Sequence, residues 1–512
     1  MTTLSMLLRS RSPSPVSGSG RPLFLDHAAV VGLVCIVASL VVGLAINDPR
    51  WGIVVPPAAA LAVLLGVAAA NRGAFLGLAL VAVMNAIPFV DLESAAVPGV
   101  FRPSDLIVAL LVLCLAFWTF NERSTVAVDP RWRRIVWLWS FLFLSWWALT
   151  LARSVLFSEI PLLDAILFGR DFLCFALVLP LLPIALRTRR ELAGLGWVVG
   201  VAAVIFALAQ TLTSLLPSAA AAVHTDLFLN PVVTNEFEGI PRIYAPMGDV
   251  VTAGAIGAAG FVILARGGVT RIVGAVLFAV LAVGGLVQLS RATYVTMAIG
   301  VLVVAVGAAW RSERFHRVVR LLPAVAAIIL LVPILVAIRP TDSARGPSIG
   351  AILQTRAVSG FAEFQAGTGT FGYRKKLQGS MLDVLGNRWP IGLGFWHPHD
   401  RPVPTLPDGS IRNSDVGLFN GLMTFGVVGT LLMYVPFVAI VILLVRQRFK
   451  PGGWDGIRLG IAGWVVGIVI GSYTLVTVYS MQGLLLAAVA LTVAAGARSL
   501  FTEPPRDAAS VG

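Results

Sequence analysis

The chain has 512 residues, of which 58% are hydrophobic and only 12% charged, and its mean hydropathy is +0.90. Soluble domains carry about 25% charged residues, so this composition excludes a cytosolic enzyme, a disordered chain, a collagen and a secreted disulfide scaffold; the bilayer is the solvent. The formal charge of +13 is dispersed among short segments between apolar runs, where it sets membrane topology and forms no nucleic-acid face.

Residues 1–26 are rich in Ser, Pro and Arg. They are expected to form a disordered tail, and no small-residue cleavage site marks a signal peptide. Fourteen apolar runs follow, at about 27–46, 52–70, 74–90, 105–120, 134–152, 168–186, 193–213, 248–265, 272–289, 292–310, 321–338, 416–445, 459–479 and 481–497. Each is long enough to cross a hydrocarbon core of about 30 Å as a helix. The run 416–445 is long for one span and is expected to tilt or to begin outside the membrane. The expected fold is all-α: a polytopic membrane protein of about 14 transmembrane helices. Cys35, Cys114 and Cys174 all lie in apolar runs and read as small core residues.

With the N-terminus inside and the runs alternating, the inside segments hold 23 Lys and Arg. The short outside loops hold six: Arg50, Arg102, Arg153, Arg170, Arg242 and Arg291. This bias predicts a multi-pass protein of the cytoplasmic membrane with both termini cytoplasmic. The organisation is then a tail at 1–26, helices across 27–338 with an outer loop at 214–247, a large outer loop at 339–415, three helices across 416–498, and a tail at 499–512.

Two long loops on one face suggest chemistry there. Within the larger, Leu377, Met381 and Leu385 recur at i, i+4, i+8, beside Arg374, Lys375 and Lys376. This is one face of a helix, either lying on lipid phosphates or packed on the rest of the loop. The segment NRWPIGLGFWHPHD has Gly392 and Gly394, suited to a tight turn, and gathers His397, His399 and Asp400. Imidazole and carboxylate bind zinc, but no third His and no Cys outside the membrane lies near in sequence, so an aromatic polar turn is the plainer reading and no metal is expected. Asn413, Ser414 and Asp415 stand where the chain re-enters the membrane. Asp415 suits a helix cap or a general base. Gly417, Gly421, Gly426 and Gly429 predict close helix packing.

Arg242 lies in GIPRIYAPMGD just before a span, and Arg291 lies in QLSRATY between two spans. A guanidinium at that depth is costly unless paired, used, or extended to the interface as an anchor. Its planar fork suits phosphate. Arg170 and Asp171 are expected to pair with other groups of the chain. The sequence has no Gly-rich nucleotide loop, no HExxH and no GxSxG elbow between strand and helix, so nothing supports nucleotide-driven or soluble-hydrolase chemistry.

Taken in order, RIYAPMGD, SRATY, YRKKLQGSMLDVLGNRWPIGLG and DVGLFNGLMTFGVVG resemble the motifs of the O-antigen ligase and polymerase family of bacterial envelope enzymes. The resemblance covers about residues 200–430. It implies a cofactor-free and metal-independent glycosyl transfer outside the membrane, from a glycan on a polyprenyl pyrophosphate to a sugar hydroxyl. Arg242 and Arg291 would stabilise the leaving pyrophosphate, and Asp415 would orient or deprotonate the acceptor. Arg374, Lys375, Lys376, His397, His399 and Asn413 would bind substrate. Asp415 stands where the ligases hold a His, a departure that leans toward a polysaccharide polymerase of surface glycan or exopolysaccharide. A chain-length regulator is an expected partner, and nucleic acid is not.

Two rival readings fit parts of the sequence. A lipid-linked oligosaccharide flippase suits fourteen spans, but transporters carry charge deep in several spans, and these spans are nearly free of it. A transferase using a polyprenyl monophosphate sugar resembles a superfamily with an acidic pair in its first outer loop; here that loop has only Asp48, and the next has Asp91 and Glu93.

Overall fold

Eleven of the apolar runs coincide with helices in the computed structural model, six of them long and apolar enough to cross a membrane. The structure describes residues 71–84, 103–121, 130–157, 160–186, 188–215, 234–237, 240–243, 248–265, 267–287, 291–310, 366, 369–395, 417–446, 449, 453–473 and 477–495. The expected spans at 27–46, 52–70 and 321–338 lie outside these residues, as do both tails. The chain divides into a unit of Gly73–Ala497 and a unit formed by Met1–Arg72 with Arg498–Gly512; of the second, only residues 71 and 72 are described.

In chain order the helices are α1 (Arg72–Val83), α2 (Pro103–Asn121), α3 (Pro130–Phe157), α4 (Leu162–Ala185) and α5 (Arg189–Leu215). A two-stranded antiparallel hairpin follows, β1 (Thr234–Phe237) and β2 (Ile240–Ile243). Then come α6 (Gly248–Leu264), α7 (Gly268–Val287), α8 (Arg291–Trp310), α9 (Gly369–Leu385), α10 (Gly417–Arg446), α11 (Gly453–Gly471) and α12 (Met481–Ala495). The six candidate spans lie in α3, α4, α5, α7, α10 and α11. Among the described residues the fold is helical apart from the hairpin, which falls in the expected outer loop 214–247 and which no apolar run announces.

Local chemistry explains several boundaries. Pro130 and Pro103 open α3 and α2, where a missing N–H costs nothing. At the start of α5, Glu191 N–H donates to Thr188 Oγ1 (3.2 Å) and Thr188 N–H donates to Glu191 Oε2 (3.1 Å), a reciprocal capping box. Tyr294 of α8 reaches back to the end of α7, where its hydroxyl donates to Leu286 O at 2.6 Å. The run expected to span 459–479 is shorter in the structure: α11 ends at Gly471, and Ser472 N–H closes the last turn on Ile468 O at 2.7 Å.

Packing forms two groups of helices. In one, α11 lies against α6 and α8, and α7 lies against both α6 and α5, which also touch each other. Glycines set the approach. A Cβ on Gly460 would stand 2.5 Å from Gly257 Cα, and one on Gly456 would stand 2.6 Å from Gly260 O. Backbones meet here with no side chain between them, as in small-residue membrane interfaces. In the other group, α4 packs on α3 and α12, and α10 packs on α3 and α12.

Candidate functional site

The long run 416–445 is one element, α10, but not one continuous helix. Gly426 takes φ 68° and ψ −175°, a conformation essentially restricted to glycine. The break leaves twenty residues, 427–446, which alone span about 30 Å, and a nine-residue piece, 417–425, before it. The extra length foreseen in the sequence is thus this separate N-terminal piece.

A break in a helix orphans backbone groups that must find partners, above all in a membrane. In a continuous helix, Met423 O and Thr424 O would accept from Val427 and Val428 N–H. Here the segment after α9 intervenes on both sides. Leu393 N–H donates to Met423 O (2.6 Å) and Gly394 N–H to Thr424 O (3.1 Å). In return, Val427 N–H donates to Trp389 O (2.9 Å) and Val428 N–H to Pro390 O (3.3 Å). Residues 389–394 therefore act as a strap that completes the broken helix. A third freed carbonyl, Phe425 O, accepts from Trp146 Nε1 at 2.9 Å. Arg153 Nη2 adds a second donor on Thr424 O at 3.2 Å.

The two glycine motifs noticed in the sequence meet here. A Cβ on Gly392 would collide with Gly426 N, and one on Gly426 would collide with Pro390 O. A Cβ on Gly394 would stand 2.6 Å from Ser154 Oγ. Beyond Gly394, Phe395 N–H donates to Ser154 Oγ at 2.6 Å, and the Phe395 ring packs edge-on against Phe425 with centroids 5.6 Å apart. Phe172 meets Phe425 at 4.7 Å, again edge-on. The Gly417–Gly429 series thus serves more than helix packing: Gly421 lies against the buried Tyr479 ring, Gly429 against Trp146, and Gly426 makes the break.

Helix α9 carries the amphipathic face that the sequence predicts. Leu377, Met381 and Leu385 are buried, and they pack with Met423, Phe419 and Leu422 of α10. Of the two readings left open, packing on protein is the one realised for this apolar face, and its partners are the piece of α10 before the break together with Leu393 of the segment after α9. Gln378 fixes α9 to the end of α11: its Nε2 donates to Tyr473 O (3.3 Å), and Tyr473 OH donates to its Oε1 (3.1 Å). The adjacent Ser472 takes a hydrogen bond from Tyr434 OH (2.6 Å), and its carbonyl accepts from Leu418 N–H (2.9 Å). Loop helix, strap and three helices of the bundle are therefore one polar-stitched assembly.

The residues singled out in the sequence fall around it as follows. Arg374 is half-buried on α9, and Lys375 and Lys376 are exposed beside it. Arg291 is the first residue of α8. Arg242 lies in β2, in register with Asn235 of β1. His397, His399, Asn413 and Asp415 lie outside the described residues; the chain is described up to Phe395 and again from Gly417. Arg170 does pair within the chain, with Asp171 at 3.5 Å. Arg153 was counted in the sequence only as an outer-loop charge. Its contact with the broken helix is missed because nothing local to residue 153 announces a partner 271 positions away.

A polytopic helical membrane protein with a strap-completed broken helix is the class these features define. Residues 275–434 match the family described as O-antigen ligase, a stretch that runs from within α7 to within α10 and takes in Arg291, α9, the strap and Gly426. The match supports an O-antigen ligase-like family, one of membrane polysaccharide ligases and polymerases. No curated protein matches the chain.

Proposed function

We propose that the chain is a glycosyltransferase of the cytoplasmic membrane that polymerises polyprenyl-pyrophosphate-linked oligosaccharide units at the outer face. The observation that carries the reading is the strap: the family-matched stretch ties the loop helix to the break in α10, which fixes the loop immediately before His397 and the helix immediately after Asp415. In the reaction, the acceptor hydroxyl oxygen bonds to the anomeric carbon of the donor sugar. The bond from that carbon to the pyrophosphate oxygen breaks, and the electron pair leaves with the pyrophosphate. Asp415 takes the hydroxyl proton. Arg242 and Arg291 stabilise the charge growing on the leaving group. For Arg291, the N-terminus of α8 adds its own attraction for an anion. An arginine is otherwise unfavourable at that end of a helix. Arg374, Lys375, Lys376, His397, His399 and Asn413 hold the lipid phosphates and sugars. Asp415, at the place of the ligases' His, favours a polymerase over a ligase.

Gene deletion with gel analysis of surface and lipid-linked glycan tests this. Loss of long chains with single units retained on lipid or surface is expected. Long chains persisting on the polyprenyl carrier without transfer would instead make it a ligase. In complementation, Arg291→Ala and Asp415→Asn are each expected to lower product about 100-fold or more; normal product from both, at wild-type protein levels, contradicts the mechanism.

A further inference from the structure

Arg170 and Asp171 meet at 3.5 Å, Nε to Oδ1, in the interior of α4. The sequence counts Arg170 as an outer-loop charge; the structure makes it the ninth residue of a 24-residue helix, inside a candidate membrane span. In the helices that hold the six candidate spans, every other Asp, Glu, Lys or Arg lies within six residues of a helix end. Stability does not explain the exception. Neighbouring residues on a helix do not face each other, and 3.5 Å to one oxygen exceeds the roughly 2.7–2.9 Å of a charge-assisted hydrogen bond. With the two side chains 20% and 33% exposed, such a pair adds little to the fold. Ionisable groups within a span are costly, and they face a bundle interior or a water-filled cavity.

The residues on either side place the pair. Before it, Gly169 lies against the Phe395 ring, where a Cβ would stand 2.7 Å from Cζ, and its carbonyl accepts from Trp147 Nε1 at 2.8 Å. After it, Phe172 meets Phe425, the last residue before the break, and Tyr479, with ring centroids 4.7 and 6.2 Å apart. The pair is therefore level with the strap and the break, in the turn of α4 that meets both. Phe395 stands two residues before His397. A guanidinium only donates hydrogen bonds and an ionised carboxylate only accepts them. Side by side they carry no net charge, so they do not draw a phosphate as a lone arginine would. They match adjacent hydroxyls, each of which both donates and accepts. We propose that Arg170 and Asp171 form a binding site for the sugar hydroxyls of the substrate glycan, at the level of the strap. The proposal rests on the transferase reading for the identity of its ligand, and it adds a helix, α4, that lies outside the family-matched stretch.

The test uses the purified full chain in phosphatidylcholine nanodiscs. Two probes are added separately: the lipid-linked oligosaccharide extracted from cells lacking the gene, and polyprenyl pyrophosphate without sugar. Bound lipid is measured by native mass spectrometry and melting by tryptophan fluorescence. Wild type is expected to bind the sugar-bearing lipid more tightly than the bare one. Asp171→Asn and Arg170→Gln should each weaken the sugar-bearing lipid about tenfold, the loss of one charge-assisted hydrogen bond, and leave the bare lipid unchanged. Arg170→Lys separates binding from structure. It keeps a cation for Asp171 but loses the planar fork, so it should melt like wild type and bind like Arg170→Gln. Wild-type binding by Arg170→Lys would make Arg170 only a counter-charge and overturn the site. So would equal binding of the two lipids by wild type, or an equal loss of both lipids in the variants. Bond formation is not read here, so a wild type that binds the sugar-bearing lipid selectively but forms no product would refute the transferase reading and leave the site standing.

Discussion

Two glycine-rich regions of this protein use glycine for different reasons. Along α11, Gly456 and Gly460 keep their helix continuous and let it touch the backbone of α6. Around Gly426, glycine ends one helical piece, starts another and admits a strap between them. The first region needs the absence of a Cβ for space. The second needs it also for conformation, because φ 68° with ψ −175° excludes every L side chain at low cost. Spacing alone does not separate the two: both are glycines a few residues apart in apolar runs. The functional consequence does, since only the break exposes carbonyls that a loop and an arginine then claim.

The contrast sets an order of expected effects. Gly426→Ala should be the most damaging, because it combines backbone strain with a collision against Pro390 O and loss of strap hydrogen bonds. A loss of about 3 kcal/mol or more is expected, read as collapse of the monodisperse peak and of the melting temperature in detergent. Larger residues there should be hardly worse than Ala, since the Cβ itself already meets both the conformational strain and the collision with the strap backbone. Gly460 should behave otherwise. Its penalty is overpacking, about 1–3 kcal/mol for Ala, and should climb steadily through Ala, Val and Leu in the same melting assay. A graded series at Gly426, or a single step at Gly460, would erase the distinction. Ser154→Ala removes the acceptor of the buried Phe395 N–H and should cost about 1–3 kcal/mol. Its mark would be faster hydrogen exchange in 389–395 with α6 and α11 unchanged. The smallest effect is expected from Gln378→Ala, about 1 kcal/mol, for two partly buried hydrogen bonds to Tyr473.

Much of the helical frame is legible in the sequence because apolar length is a direct physical requirement of a bilayer. The apolar face of α9 is legible too, since Leu377, Met381 and Leu385 repeat at helical spacing. Its partner is not, because periodicity names a buried face but not what buries it. The break at Gly426 is hidden for a similar reason. A run of thirty residues with several glycines looks like a long tilted helix until the groups that would satisfy an interruption, at Trp389, Pro390, Leu393 and Gly394, are brought from a distant segment. The hairpin at Thr234–Ile243 is too short and too polar to show as alternation. Of the candidate site, Arg291 is found where a two-span corner was expected, at the first residue of α8. The roles of Arg242, Arg291 and Asp415 rest on motif resemblance and remain proposals for mutation to decide.

The most direct measurement is product analysis from the purified chain in vesicles supplied with a polyprenyl-pyrophosphate-linked oligosaccharide at the outer face. The account predicts new glycosidic bonds, glycans lengthened by whole units, and one polyprenyl pyrophosphate released for each bond formed. Movement of the intact lipid-linked glycan across the bilayer with no new bond would contradict it and make the protein a transporter.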